Sequence, residues 1–448
     1  MKNHDVVKTM ALILVILCPL AIVGTVLSPE DPAPKRSLLT ASELREDLLQ
    51  LREAFESMHP ARYKFARKKD MDQWFESRLA MIDQPMEARG FYPILATFFG
   101  MVGCGHTRLS LPDGFWQDGN HNMLPLKLYL LGKRFYVVGH FSENQGIPIG
   151  SQIVSINGEP IETIIRLLKQ NIHADAMIDT FKTRRLQKNF AHQFALQFGF
   201  HDYFEFTFIP PGKKSVSSKI RLKAVSLDMI KSERWNIKHQ LNCEGAENYA
   251  VMTLNSFSSY PSLDRVKEFL DDSFSEISAK QIKHLIIDLR QNTGGDPHVA
   301  AHLLTYLEPR AIVYFDQPYE GYEALAKPLS PATRNHFDGD IYILIDGEGF
   351  STTGHICALF KFHHIGTLIG EELGSSYICN DNSQNLVLKH SRFKVRMPTR
   401  SYAVAVEGIS DRHGIFPDYF VNETIEDVIT GRDTVLEFTL RLIRDKGD

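Results

Sequence analysis

The sequence predicts an α/β protein organised around a buried parallel sheet, and three observations carry that reading. Leu285-Ile286-Ile287 and Ile341–Ile345 are short apolar runs rich in branched residues, each followed by Asp and then Gly. Continuous rather than alternating apolar character marks strands buried on both faces, as in parallel sheets. Helical segments separate such runs: Leu263 to Ile277 lies between the strands Tyr249–Phe257 and Ile282–Arg290, and Thr352 to Phe362 follows Ile341–Ile345. Each strand then delivers a glycine-bearing loop at its C-terminal edge, where α/β folds place their chemistry.

Two of those loops suit acyl chemistry. Asn292-Thr293-Gly294-Gly295 can turn its amides inward, because glycine tolerates unusual backbone angles. Gly347-Glu348-Gly349-Phe350-Ser351 puts Ser351 at a strand-to-helix turn, where amides and the helix dipole favour a developing oxyanion. The same position suits a serine that only caps the helix. A G-x-S-x-G elbow is broken at Thr353, which disfavours an α/β-hydrolase.

The rest of the chain follows in order. Met10 to Leu27 is apolar behind the basic Lys2 and Lys8, so residues 1–28 read as a signal peptide or membrane anchor and residues 29–39 as a linker. Residues 40–115 form an N-terminal helical region. Ser42 is a candidate cap with Glu43 and Glu46 in the first turn, and Leu44, Leu48, Leu49, Leu51 and Phe55 give an apolar face. His59-Pro60 breaks that helix, Met71 to Met81 begins another, and Phe91 to Phe99 begins a third that ends at Gly100. Thr107 to Leu111 alternates as a strand, which puts His106 at its start with Cys104 on the same face. Residues 120–225 read as a small β-rich domain: a strand at Arg134 to Phe141, another ending in the Asn157-Gly158 turn, and a helix from Ile161 to Gln170. Residues 226–448 hold the core, with late strands at His390–Met397 and Tyr402–Val406 and a last helical region opening at Thr424.

LIIDLRQNTGG, ILIDGEGFSTTGHICALFK, LIGEELGSS and the closing GIFPDY together resemble the S41 peptidase family, the tail-specific and C-terminal processing proteases. The resemblance runs from about Ser42 to about Arg444 and implies a ClpP/crotonase-like core with an inserted PDZ-like β domain, the latter also suggested by SQIVSINGEPI. It places the nucleophile on Ser351 and the oxyanion hole on the amides of Thr352, Gly294 and Gly295. In lysine-dependent members the base stands about 25 residues after the nucleophile; here Ser375, Ser376 and Tyr377 occupy that stretch. The chain is therefore similar to the tricorn-like variant, with a histidine before the PDZ-like domain and a late carboxylate. Gly103-Cys104-Gly105-His106-Thr107 matches the family's G-D-G-H-T segment with Cys104 in place of Asp, so the base falls on His106. The carboxylate falls on Asp411, or next on Glu407, shortly before GIFPD.

Composition bounds the alternatives. The 448 residues are 43% hydrophobic and 23% charged, and the net charge is -4, which gives nucleic-acid binding no electrostatic support. Five scattered cysteines without C-x-x-C pairs, and no H-E-x-x-H, point to neither a disulfide framework nor a metal site, and no cofactor is expected. The expected activity is that of a serine endopeptidase acting on polypeptides in the periplasm or extracellular space, either anchored to the membrane through its N-terminal segment or secreted. The alternative is a catalytically inactive binding protein for peptides or hydrophobic ligands on the same scaffold, because retinoid-carrying relatives share this fold.

Overall fold

The computed structural model describes residues 38–117, 121–142, 146–215, 217–230, 236–244, 247–258 and 263–447. The expected signal peptide or anchor, 1–28, and most of the linker lie outside the described residues. No helix among the described residues is long and apolar enough to cross a membrane.

A six-stranded sheet forms the centre, ordered His239–Glu244, Tyr249–Leu254, His284–Asp288, Asp340–Ile345, Thr367–Gly370 and Tyr419–Phe420. The first pair is antiparallel and every later neighbour is parallel. Leu285, Ile287, Ile343 and Ile345 pack into the larger core together with Val266 and Leu270, Val299 and Leu303, and Ile356 and Leu359 from three helices. Ile286, Tyr342 and Leu344 point the other way, into a smaller cluster with Val435 and Ile443 of the C-terminal helix Thr434–Gly447. Burial on both faces is the physical reason Leu285–Ile287 and Ile341–Ile345 are apolar at every position, and each buried aliphatic side chain contributes roughly 1.5–3 kcal/mol.

The N-terminal region consists of the helices Ala41–Met58, Lys68–Met81 and Ala88–Val102. The first is capped by Thr40 rather than Ser42: Thr40 and Glu43 form a reciprocal capping box, with the Thr40 amide 2.7 Å from the Glu43 carboxylate. Leu44, Leu48, Leu51 and Phe55 are buried, while Leu49 is half exposed. The third helix runs past Gly100 and stops at Gly103, whose φ of 70° makes the left-handed cap. Gly100 serves a close approach instead, since a Cβ there would lie 1.9 Å from the Gln170 carbonyl oxygen. His106 sits in the turn after this cap, and the strand is the shorter Arg108–Ser110, so Cys104 and His106 do not share a strand face.

The β-rich part is an antiparallel sheet ordered Leu126–Leu131, Arg134–His140, Gln152–Ile156, Tyr203–Ile209 and Ser218–Lys223. Asn157 and Gly158 both take positive φ in the tight turn after the third of these strands. Two helices accompany the sheet, Ile161–Gln170 and Asp179–Phe198. The second had no clear sequence signal, because a kink at Asn189 (φ -120°, ψ 20°) breaks its apolar period. The late strands are shorter than expected: Lys394–Met397 pairs with Arg108–Ser110 and Gln384–Val387, and Arg400–Ala403 pairs with Ile378–Asp381. Thr424 caps the helix Ile425–Thr430 through a capping box with Asp427.

Candidate active site

Strand, turn and helix together present Ser351. The strand Asp340–Ile345 ends at the turn 346–350, and the helix Thr352–His363 begins immediately after Ser351. Ser351 takes φ 60° and ψ -121°, a conformation that non-glycine residues rarely adopt and that surrounding contacts must enforce. Those contacts are visible. Asp346 Oδ1 accepts the amides of Gln291 (2.9 Å) and Glu348 (3.0 Å), so one carboxylate ties the start of the glycine loop to the serine turn. Glu371 Oε1 accepts the Gly347 amide at 2.7 Å and Arg184 Nε at 2.6 Å, and Arg184 also donates to the Tyr129 hydroxyl at 2.7 Å. Burial pushes the Asp346 carboxyl up to about 7, with Glu348 adding to the shift.

His106 reaches Ser351 across 245 sequence positions: its Nε2 lies 3.1 Å from Ser351 Oγ. The ring is buried and stacks on Phe350, with centroids 4.5 Å apart. Desolvation holds its pKa down at about 3, against the opposing pull of Asp381. The imidazole is therefore neutral near pH 7 and its Nε2 can accept the serine proton. His106 Nδ1 is buried without a partner among the described residues.

The carboxylate beside this histidine is Asp381, with Oδ2 3.7 Å from Nε2. Burial raises the Asp381 carboxyl, but His106, Arg396 and Ser383 outweigh it and hold it below its ordinary value. Arg396 pairs with it at 2.7 Å. Neither carboxylate expected from the sequence fills this place. Asp411 pairs instead with Lys64 at 2.7 Å, and Glu407 is exposed on the same loop. Lys64 belongs to the HPARYKF segment, and its ammonium holds Asp411 in an ion pair. Asp381 carried no sequence signal beyond an Asp-Asn pair after an apolar strand; the pairing of Ile378–Asp381 with Arg400–Ala403 brings it to the site.

The glycine loop lies directly against the serine. A Cβ on Gly294 would stand 2.6 Å from the Phe350 oxygen and 2.8 Å from Ser351 Cβ. The Gly294 amide is taken by Asn292 Oδ1 at 2.9 Å, so it does not face a bound carbonyl as the sequence reading expects. The amides of Gly295 and Thr352 have no acceptor among the described residues, and the Thr352 hydroxyl donates to the Gly295 carbonyl, locking the two segments together at 2.6 Å. Where the lysine of other members would stand, Ser375 Oγ donates to Asp175 Oδ2 at 2.8 Å, and Asp175 Oδ1 takes the Gly105 amide at 2.7 Å. That buried carboxylate, raised to about 6 by desolvation, fixes the turn carrying His106. Lys361 is engaged in an ion pair with Asp418.

A cleft of about 560 Å³ opens at Ser351, with Phe315, Tyr322 and Tyr402 among its walls and Asp381 and Arg396 at one side. The four described cysteines are free, and Cys379 lines the cleft with Ser351. Among the described residues no His/Cys/Asp/Glu group could hold a metal ion.

A hydroxyl facing a neutral buried imidazole beside two unengaged amides is an arrangement with the chemical parts that acyl transfer requires. Residues 248–421 match the model of Peptidase family S41. Among solved structures, mature CPAF aligns with a TM-score of 0.66 and 12% identity over 91% of this chain and 99% of that one. Mature CPAF complexed with lactacystin aligns at 0.64 and 12%, over 90% and 99%. A CPAF mutant aligns at 0.68 and 12%, over 90% and 97%. The likeness shows a shared fold: an S41 protease core with further helical and β-rich parts. No curated protein matches the chain.

Proposed function

We propose that the chain is a serine-type endopeptidase that hydrolyses peptide bonds of polypeptides outside the cytoplasm. Ser351 Oγ attacks the peptide carbonyl while His106 Nε2 takes its proton. The Gly295 and Thr352 amides receive the oxyanion. Asp381 steadies the imidazolium that forms, and His106 then gives the proton to the leaving amine. Water, deprotonated by the same nitrogen, releases the acyl group and restores Ser351. The observation that carries this reading is the 3.1 Å contact between Ser351 Oγ and His106 Nε2, at a serine held in a strained backbone conformation.

Substrate selection follows from the surroundings. The cleft's aromatic walls suit an apolar side chain near the scissile bond. Residues 120–225 are read as a PDZ-like domain that captures extended peptide by strand addition at the outer strand Leu126–Leu131 or Ser218–Lys223. The basic start and apolar run of residues 1–28 support delivery to, or tethering at, a membrane with the remainder facing the periplasm or extracellular space.

Hydrolysis of casein and labelling by a fluorophosphonate test the proposal directly. Wild type should cleave and be labelled, and Ser351→Ala should lose labelling and at least roughly 10³-fold in activity. Undiminished cleavage by Ser351→Ala would remove the serine from the chemistry. A wild type that neither cleaves nor labels would favour the inactive binding scaffold.

A further inference from the structure

Between the helices Ala88–Val102 and Asp179–Phe198 and the strand Arg108–Ser110 lies a cavity of about 160 Å³. Arg108 and Arg185 both line it, with His173, Gln193, Asn189 and Tyr92. Neither guanidinium makes an ion pair among the described residues. Arg108 donates to the Gly105 carbonyl and lies over the Phe350 ring, and Arg185 lies over the Phe181 ring. The carboxylates that act on them at longer range are already engaged: Asp381 by Arg396, Asp175 by Gly105 and Ser375, and Glu348 by Lys188. Burial lowers the pKa of both, that of Arg108 to about 10 with help from the charge on Arg185.

Two desolvated cations sharing one cavity with no carboxylate on its walls is costly unless an anion completes the site. Guanidinium forks fit an oxyanion geometrically, and the neutral donors are in place. Gln193 Oε1 is occupied by the Tyr92 hydroxyl at 3.3 Å, which leaves the Gln193 amide hydrogens to donate. The kink of the helix at Asn189 falls four residues after Arg185, and Asn189 Nδ2 satisfies the Arg185 carbonyl that the kink would otherwise free. The volume corresponds to about five waters at about 30 Å³ each, room for one tetrahedral oxyanion with its water but not for a nucleotide or peptide.

We propose that this cavity is a binding site for one small oxyanion of the phosphate or sulfate type, held between Arg108 and Arg185. Arg108 also opposes protonation of His106, whose ring stacks on the same Phe350. Neutralising Arg108 therefore makes His106 a stronger base, so the site couples anion concentration to the catalytic imidazole.

Inorganic phosphate titrated calorimetrically into the full chain, with ionic strength held by chloride, tests the site without any substrate and so independently of Ser351. Wild type should show one saturable event and a Tm rise of about 3 °C at saturation. Arg185→Met should bind at least about tenfold more weakly while being no less stable than wild type in phosphate-free buffer, because it removes a half-buried charge that makes no ion pair among the described residues. Arg185→Lys, which keeps the charge but not the fork, should also weaken binding and serves if the methionine variant does not fold. Absence of saturable heat in wild type overturns the proposal, and so does phosphate binding by the folded Arg185 variants within twofold of wild type.

Discussion

Removing the charge of Asp381 tests the electrostatics of the site most sharply. Asp381→Asn keeps the side chain's size and takes away the anion 3.7 Å from His106 Nε2. Two unit charges at that distance interact by about 4.5 kcal/mol at an effective dielectric constant near 20. The Asp381 side chain is 35% exposed, so solvent screens a large part of this. About 2 kcal/mol remains for the imidazolium of the transition state, or roughly 30-fold in kcat. The assay is kcat/KM on a fluorogenic peptide, measured beside Asp411→Asn and with Tm as a control for folding. Asp411 is held by Lys64, away from His106, and its substitution should cost less than about threefold in rate and at most about 1 kcal/mol in stability. If Asp381→Asn were within twofold of wild type while Asp411→Asn fell more than tenfold, the assignment of the carboxylate would be refuted.

Two further outcomes follow from the backbone and from the buried carboxylates. Gly294→Ala adds a methyl 2.8 Å from Ser351 Cβ at φ 89°, and the displacement it forces should lower kcat roughly 100-fold with the circular-dichroism spectrum retained. The Asp346 carboxyl titrates near 7 in the folded chain against an ordinary 3.8, so the folded state holds the extra proton between those values and stability falls as pH rises through that window. Asp346→Asn keeps an oxygen for the Gln291 and Glu348 amides and should gain on wild type by about 2 kcal/mol between pH 4 and 8, allowing for partial exposure, as read by urea denaturation.

What the sequence revealed and what it withheld divide along the range of the interactions. The strands His284–Asp288 and Asp340–Ile345 were legible because burial on both faces leaves an unbroken apolar run. Ser351 was legible because a strand, a glycine turn and a helix adjoin in sequence. His106 was reached by resemblance, since its place next to Ser351 depends on folding across 245 positions. Asp381 was missed for the same reason, and Asp411 was preferred although a lysine almost 350 positions upstream claims it. The Gly294 amide could not be read either: Asn292 satisfies it locally, which leaves the neighbouring Gly295 amide open. The helix Asp179–Phe198 escaped notice because its kink at Asn189 shifts the apolar face halfway along.

The brace from Tyr129 through Arg184 and Glu371 to the Gly347 amide has a consequence for how this protein can be divided. Residues 248–421 match the family, yet His106, the Asp175 that pins its turn and the Arg184 that steadies the serine turn all lie upstream of that stretch. A fragment cut at the family boundary would keep Ser351 and discard both the histidine that it contacts and the residues that brace its turn. Glu371 would be left with its negative charge uncompensated beside the loop it is meant to hold. On the proposed mechanism the upstream half is no detachable accessory, and grafting the matched stretch onto another protein would transplant Ser351 without its histidine.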